Sequence, residues 1–397
     1  ANSKVGVQYG LQTLSQLITA DGKLVLATVN DKPAFPYRGF MLDTARNFFP
    51  VEDIKRIIDG LAAAKLNVFH WHIFDSQSFP IEWKTYPQVH KNAAYKNADG
   101  SLKIYTQADI QGIVQYAFDR NIRVIPEFET PGHNAVLGWI DQNITNDCVG
   151  GVVWWGRNYC NQPPCGQLDV RQEKALQILD QLINEVGSWF KDPVIHMGHD
   201  EINTRAYGLV PDNYDSFDST ALLTPMMRNF DARLQNMLGG KTLGAWDEVA
   251  WAYGVDDIIK KDSLITVWTG PVADTVNNAA AKGFTNIVLA PSDYYYFDCS
   301  PSAHWCSSDF ERNNPPTAYN LDGFKTFAGQ WHNWTLIYDY DPLAGLTDKA
   351  KATVKGGFGA LWSETVKRHN LDRYVFPRIA AVAERYWSNI ARNDNTA

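Results

Sequence analysis

The chain has 397 residues, 45% of them hydrophobic, and a formal net charge of −8 at pH 7. That length and apolar content support a large core, either as one barrel-type domain or as two smaller ones, and no shift in composition marks a boundary. The acidic balance without a basic stripe argues against nucleic acid or anionic membrane as a partner, and no run of about 18 apolar residues is present to span a bilayer.

In chain order, residues 9–17 read as a helix and the stretch around 24–29 as a strand pair, too short for a core of its own. The start, Ala1-Asn2-Ser3-Lys4, lacks the apolar centre of a signal peptide. We read residues 1–34 as a cap, or as the remnant of an N-terminal α+β domain. From residue 35 to 397, β-branched runs alternate with amphipathic helical stretches, the pattern of a parallel sheet with crossover helices. Eight strands are expected, at 38–43, 67–74, 123–128, 194–198, 242–245, 264–268, 286–290 and 359–362. Helices are expected between them, including 51–65 after Pro50, 106–120 with Thr106 as its cap, 171–191 and 371–387. Eight strand–helix repeats predict an α/β fold of the (β/α)8 TIM-barrel type. The five cysteines fall into two local groups, Cys148, Cys160 and Cys165, then Cys299 and Cys306. Such spacing suits loop-closing disulfides in an oxidising compartment, with one thiol left over, better than zinc sites built on tight pairs. Two sequons, at Asn143 and Asn333, fit a secreted or lysosome-like glycoprotein.

A barrel of this kind carries its active site on the loops after the strands. Polar and aromatic residues gather at those positions: Asp43 and Arg46, then His70, His72 and Asp75, then Glu127, Glu129 and His133. Further on come Asp200 and Glu201, Trp246 to Glu248, Trp268, the Tyr294-Tyr295-Tyr296 triplet with Asp298, and Trp362 with Glu364. The most informative run is His196-Met197-Gly198-His199-Asp200-Glu201, where a strand leads into two adjacent carboxylates. Neighbours in extended chain point to opposite faces, so a turn after the strand is needed for both to flank one ligand. The plain alternative is a helix cap at Asp200 or Asn203 with Glu201 solvated. The aromatic content, 14 Trp and 18 Tyr, suits stacking on the apolar faces of sugars.

The run His196 to Glu201 resembles the His-x-Gly-x-Asp-Glu signature of family 20 glycoside hydrolases, the β-N-acetylhexosaminidases. Four further motifs are similar to that family's and stand in its order: Tyr37-Arg38-Gly39-Phe40-Met41-Leu42-Asp43-Thr44-Ala45-Arg46, His70-Trp71-His72-Ile73-Phe74-Asp75, Pro126 to His133, and Leu361-Trp362-Ser363-Glu364. The similarity spans roughly residues 9 to 388. It implies exo-acting removal of terminal β-linked GlcNAc or GalNAc from an oligosaccharide or glycoconjugate, with retention and without a cofactor or metal. In that chemistry the substrate's own 2-acetamido oxygen attacks and an oxazolinium forms, an exception to the two-carboxylate rule.

By the same resemblance Glu201 is the general acid and then base, with a raised pKa. Asp200 accepts the acetamido N–H, and Tyr296, taken over Tyr295 from its spacing to Asp298, donates to the acetamido oxygen. Trp246, Trp268 and Trp362 wall the sugar. Arg38, Asp298 and Glu364 hold ring hydroxyls, while Asp75 and His133 orient the acid pair. As alternatives, Arg38 closes the barrel floor on Asp43 or Glu364, and His70, His72 and His196 are structural histidines satisfied by backbone. Residues 141–167, with Trp154 and Trp155, are the expected selector of the sugar beyond the first. Relatives' homodimers are a further expectation. The chain departs from the family's pattern at His199, where a small residue is frequent, at Glu129, where Asp is common, and at Ser76, where a second Asp often follows the first. Two rivals have different chemistry. One is a metal-dependent TIM-barrel hydrolase using His70, His72, Asp75, His133 and Asp200, and the other is a catalytically inactive sugar-binding protein.

Overall fold

The computed structural model describes residues 3–146, 159–210, 217–299 and 332–390. Eight parallel strands close into a barrel in sequence order. They are β1 Tyr37–Asp43, β2 Val68–Phe74, β3 Arg123–Thr130, β4 Val194–Gly198, β5 Thr242–Trp246, β6 Leu264–Val267, β7 Asn286–Leu289 and β8 Val354–Leu361. β1 pairs with both β2 and β8, so no sheet edge is left open. Helices cover the outer face because their apolar residues recur at helical spacing. In Val51–Ala63, Ile54, Ile57, Ile58 and Leu61 form one buried stripe. Helix Gln107–Phe118 starts where expected, with Thr106 and Asp109 exchanging capping-box hydrogen bonds.

Alternation along each strand sorts side chains into two cores. A large cluster lies between sheet and helices, and a smaller one, including Met41, Val68, Ile125, Val288 and Phe358, fills the barrel interior.

The differences from the sequence reading are local. β8 begins five residues before the expected start at 359, because Gly356, Gly357 and Gly359 hide its pattern. These glycines are needed for close approach: a β-carbon on Gly357 would sit 2.8 Å from Tyr386 Cζ, and one on Gly359 would sit 2.5 Å from Phe297 Cζ. The expected final helix is two, Leu371–Val375 and Arg378–Ser388, interrupted at Phe376-Pro377. At the N-terminal end a helix spans Lys4–Gln16 with no buried residue. The expected strand pair beyond it is an isolated bridge between Ile18 and Leu24.

Candidate active site

β4 runs buried from Val194 and then turns sharply: Gly198, His199 and Glu201 have φ of +64°, +78° and +53°. Glycine is required at 198, where a β-carbon would strike the Glu129 carboxylate, and at 132, where it would lie 2.7 Å from Asp200 O. This turn brings both acids to one cleft of about 260 Å3 at the C-terminal ends of the strands. No helix starts at Asp200. Asn203 caps a turn instead, accepting from Arg205 N at 2.9 Å and Ala206 N at 3.3 Å.

The acids are wired differently. His133 Nε2 lies 3.1 Å from Glu201 Oε2 and 3.7 Å from Asp200 Oδ2, and its Nδ1 is 3.8 Å from Asp75 Oδ1. Asp75 in turn takes Arg46 Nη2 at 2.8 Å and His72 Nε2 at 3.1 Å. Asp200 Oδ1 is buried and has no hydrogen-bond partner among the described residues. Burial opposes charge on His133, but Asp75, Glu201 and Asp200 outweigh it and raise its pKa to about 9. Burial, aided by Glu201 and Glu127, pushes Asp200 up to about 6 although His133 draws it down. Glu201 departs from expectation. Burial pushes it up, but the hydrogen bonds and charge of His133, with Asn161 and Arg46, leave it below the ordinary glutamate value. The proton of the His133–Glu201 pair therefore rests on the imidazole.

Aromatic walls close the cleft. Trp268 and Tyr296 stack at 6.3 Å with 13° between planes, and Trp362 meets Tyr296 edge-on at 6.0 Å. Trp246 lies 6.0 Å from Trp362 and is fixed by Nε1 donating to Glu127 Oε1 at 2.8 Å. Tyr296 lines the cleft whereas Tyr295 is fully buried against Tyr340 and Tyr386. Burial raises the Tyr296 hydroxyl well above its usual pKa, so it stays a neutral donor. Asp298 and Glu364 complete the lining.

Arg38 is the exception among the expected site residues. It is the second residue of β1, about 17 Å of extended chain before the strand's end. There it donates to Phe35 O at 2.8 Å and to Lys65 O at 3.0 and 3.1 Å, and it packs 5.1 Å over Trp387. It closes the barrel floor, on carbonyls rather than on Asp43 or Glu364. It also borders an apolar cavity of about 770 Å3 beside the N-terminal helix. That cavity is larger than the cleft but lacks converging acids, and it lies at the wrong end of the strands for chemistry.

The arginine of the cleft is Arg46, three residues past the end of β1. It contacts Asp75 and Asp43, lies 5.0 Å over the Trp362 ring, and donates to Gln162 Oε1 at 2.9 Å. Its position beyond a strand end was the available signal. Gln162 also donates to Glu364 Oε1 at 2.8 Å, and Asn161 and His332 line the cleft too. Asn161 and Gln162 belong to the 141–167 segment expected to select the sugar beyond the first, though neither residue was named, and His332 carried no sequence signal. Trp154, Trp155, Cys148 and Cys306 lie outside the described residues. Cys160 and Cys165 are joined, and Cys299 is also disulfide-bonded.

The inner histidines face a buried carboxylate rather than backbone. Glu127 lies 2.8 Å from His70 Nε2, 3.0 Å from His72 Nδ1 and 3.1 Å from His196 Nδ1. Among the described residues, ligand atoms able to share a metal converge as His70–Glu127–His196, His72–Glu127–Glu129 and His133–Asp200–Glu201. The five residues of the metal-hydrolase alternative do not form one such group, so the geometry does not favour it.

Comparison with known proteins agrees with this arrangement. The model of glycosyl hydrolase family 20, catalytic domain, matches residues 35–390. The chitooligosaccharidolytic β-N-acetylglucosaminidase of Ostrinia furnacalis is 34% identical over 418 residues, covering 98% of this chain and 65% of that protein. Its counterpart from Bombyx mori is 34% identical, covering 98% and 64%. The chain thus spans just under two thirds of the length of these relatives. The X-ray structure of Flavobacterium johnsoniae chitobiase superposes with a TM-score of 0.77 at 30% identity, over 99% of this chain and 55% of that one. With the barrel, the strand-end acids and the match over most of its length in agreement, the chain belongs to glycosyl hydrolase family 20.

Proposed function

We propose that the protein is an exo-acting, retaining β-N-acetylhexosaminidase in which the substrate's acetamido oxygen is the nucleophile. The observation that carries this reading is the convergence on one cleft of Asp200, Tyr296 and a Glu201 already engaged by His133. An ionised carboxylate at the cleft has acceptor capacity that a ligand donor can meet, and an acetamido N–H is such a donor. Asp200 then orients the amide and stabilises the positive charge that builds as the oxazolinium ring closes. Tyr296, as a neutral phenol, donates to the acetamido oxygen and holds it near the anomeric carbon. When a sugar fills the cleft and displaces water, the carboxylate loses solvation and the shared proton moves from His133 to Glu201. Glu201 gives it to the departing oxygen and later takes one from the attacking water.

The small cleft fits a single terminal sugar, in keeping with action at chain ends. Trp246, Trp268 and Trp362 wall its apolar face, and Arg46, Asp298 and Glu364 hold ring hydroxyls, with Arg46 in the part first given to Arg38. The names of the two insect relatives point to chitin oligosaccharides as one substrate class. Disulfide bonding at Cys160, Cys165 and Cys299 supports a secreted or lysosome-like setting. No helix among the described residues is long and apolar enough to cross a membrane.

The test compares an aryl N-acetyl-β-glucosaminide with the aryl β-glucoside that lacks the acetamido arm. Turnover of the first alone is expected, together with strong inhibition by a thiazoline mimic of the cyclised intermediate. Equal turnover of both, or a sugar ester trapped on a carboxylate, would overturn the mechanism. An intact cleft that binds sugar without any turnover would leave the sugar-binding alternative.

A further inference from the structure

The turn that presents Asp200 is held from behind by a pair the proposed reaction does not use. His199 is fully buried and sits in left-handed backbone at φ +78°, which glycine adopts freely and a β-carbon resists. Such a residue persists only when its surroundings over-determine it. Its N–H donates to Thr130 O at 2.9 Å, and its Nδ1 lies 3.0 Å from Met197 O. Its Nε2 lies 2.8 Å from Asp231 Oδ1 on helix Thr224–Met237, outside the barrel. The ring also stacks on Phe230, with centroids 5.5 Å apart and 25° between planes.

A carbonyl oxygen only accepts, so Nδ1 carries a proton. At 2.8 Å, Nε2 and Oδ1 cannot both present lone pairs, so a second proton lies between them. The pair is net neutral in either arrangement of that proton. Asp231 is fully buried and its Oδ2 has no hydrogen-bond partner among the described residues, so the ring is what keeps this acid tolerable inside the protein.

We propose that His199 and Asp231 form a positioning clamp that ties the residue before Asp200 to an outer helix and so fixes the direction in which Asp200 faces the cleft. The clamp acts on rate without touching the sugar, and it rests on the reading of Asp200 given above.

The test reads kcat, KM and melting temperature of the full chain on an aryl N-acetyl-β-glucosaminide. His199→Gly keeps the left-handed turn without steric cost but cuts the tie. Since misplacement by 1 Å can cost about 100-fold, kcat is expected to fall by about 10-fold or more while KM stays within about 2-fold. Asp231→Asn preserves the tie, because its amide can donate to Nε2 of a neutral ring, and should keep kcat within about 3-fold. His199→Gly combined with Asp231→Leu removes the orphaned acid, so it should recover melting temperature relative to His199→Gly alone without recovering kcat. If kcat rises along with melting temperature in that double variant, or if His199→Gly turns over at the wild-type rate, the pair only fills space and the clamp is refuted. A wild-type protein that turns over no N-acetylhexosaminide refutes the reading of the cleft instead.

Discussion

Two histidine–carboxylate clusters sit less than a strand's length apart, built from the same residue types. The inner one gathers His70, His72 and His196 around Glu127 inside the barrel, with every member essentially sealed from solvent. The outer one gathers Asp75, Asp200 and Glu201 around His133 at the strand ends. In the inner cluster one acid is shared by three rings. Burial would raise Glu127, yet the three histidines hold it well below the usual glutamate value, while burial pushes His196 down to about 4. In the outer cluster one ring is shared by three acids, so one acid is left short. Asp200 rises to about 6 and lines the cleft beside Glu201. The ratio of rings to acids, together with an opening to solvent, separates a cluster that braces the barrel from one poised for substrate.

This contrast can be broken by experiment. The largest effect is expected at Glu201→Gln, a loss of about 10²–10⁴ in kcat that is greatest for poor leaving groups and carries little change in stability. Equal losses across leaving groups would remove Glu201 as the acid. Glu127→Gln should show the converse, about 3–5 kcal/mol of stability lost in a denaturant titration, as when a buried pair is broken, with kcat less affected than in Glu201→Gln. A large rate loss at unchanged stability would mean that the inner cluster belongs to the chemistry. Arg46→Ala should lower kcat/KM by about 10- to 100-fold, the worth of a hydrogen bond to a charged group. Arg38→Ala should leave kcat/KM near wild type and lower the melting temperature; the reverse ranking would restore Arg38 to the site. The mildest signature is in pH. Asp200 must be ionised to accept and gains its proton below about 6, so kcat/KM should fall about tenfold per unit below that value. It should fall again as pH rises through about 9, where the His133–Glu201 pair loses its shared proton. In Asp200→Asn the acid limb should disappear, and a limb that stays near 6 would assign it to another group.

Much of the fold was legible because local rules agreed with the global ones. β4 was placed to the residue, since Val194-Ile195 leads into Gly198 with no competing pattern. β8 was placed late because three glycines chosen for close packing erase alternation. The acid pair and the tryptophans could be named because each ends a strand or follows closely on one, and Tyr296 because of its spacing to Asp298. Gln162, Asn161 and His332 could not be named individually, because none lies next to a strand or in one of the motifs, although the 141–167 segment that holds the first two was expected near the substrate.

By itself the sequence determined the barrel, its order of elements and the chemical types at the strand ends, because hydrophobic period and motif order are written along one dimension. Tertiary structure decided which arginine reaches the cleft, since Arg38 and Arg46 lie on one motif but at opposite ends of one strand. It also decided where protons rest. Glu201 falls and Asp200 rises because His133, 68 residues before Glu201 in the chain, pairs with one more closely than with the other. Electrostatics depends on distance through space and on burial, and neither quantity exists until the chain has closed on itself.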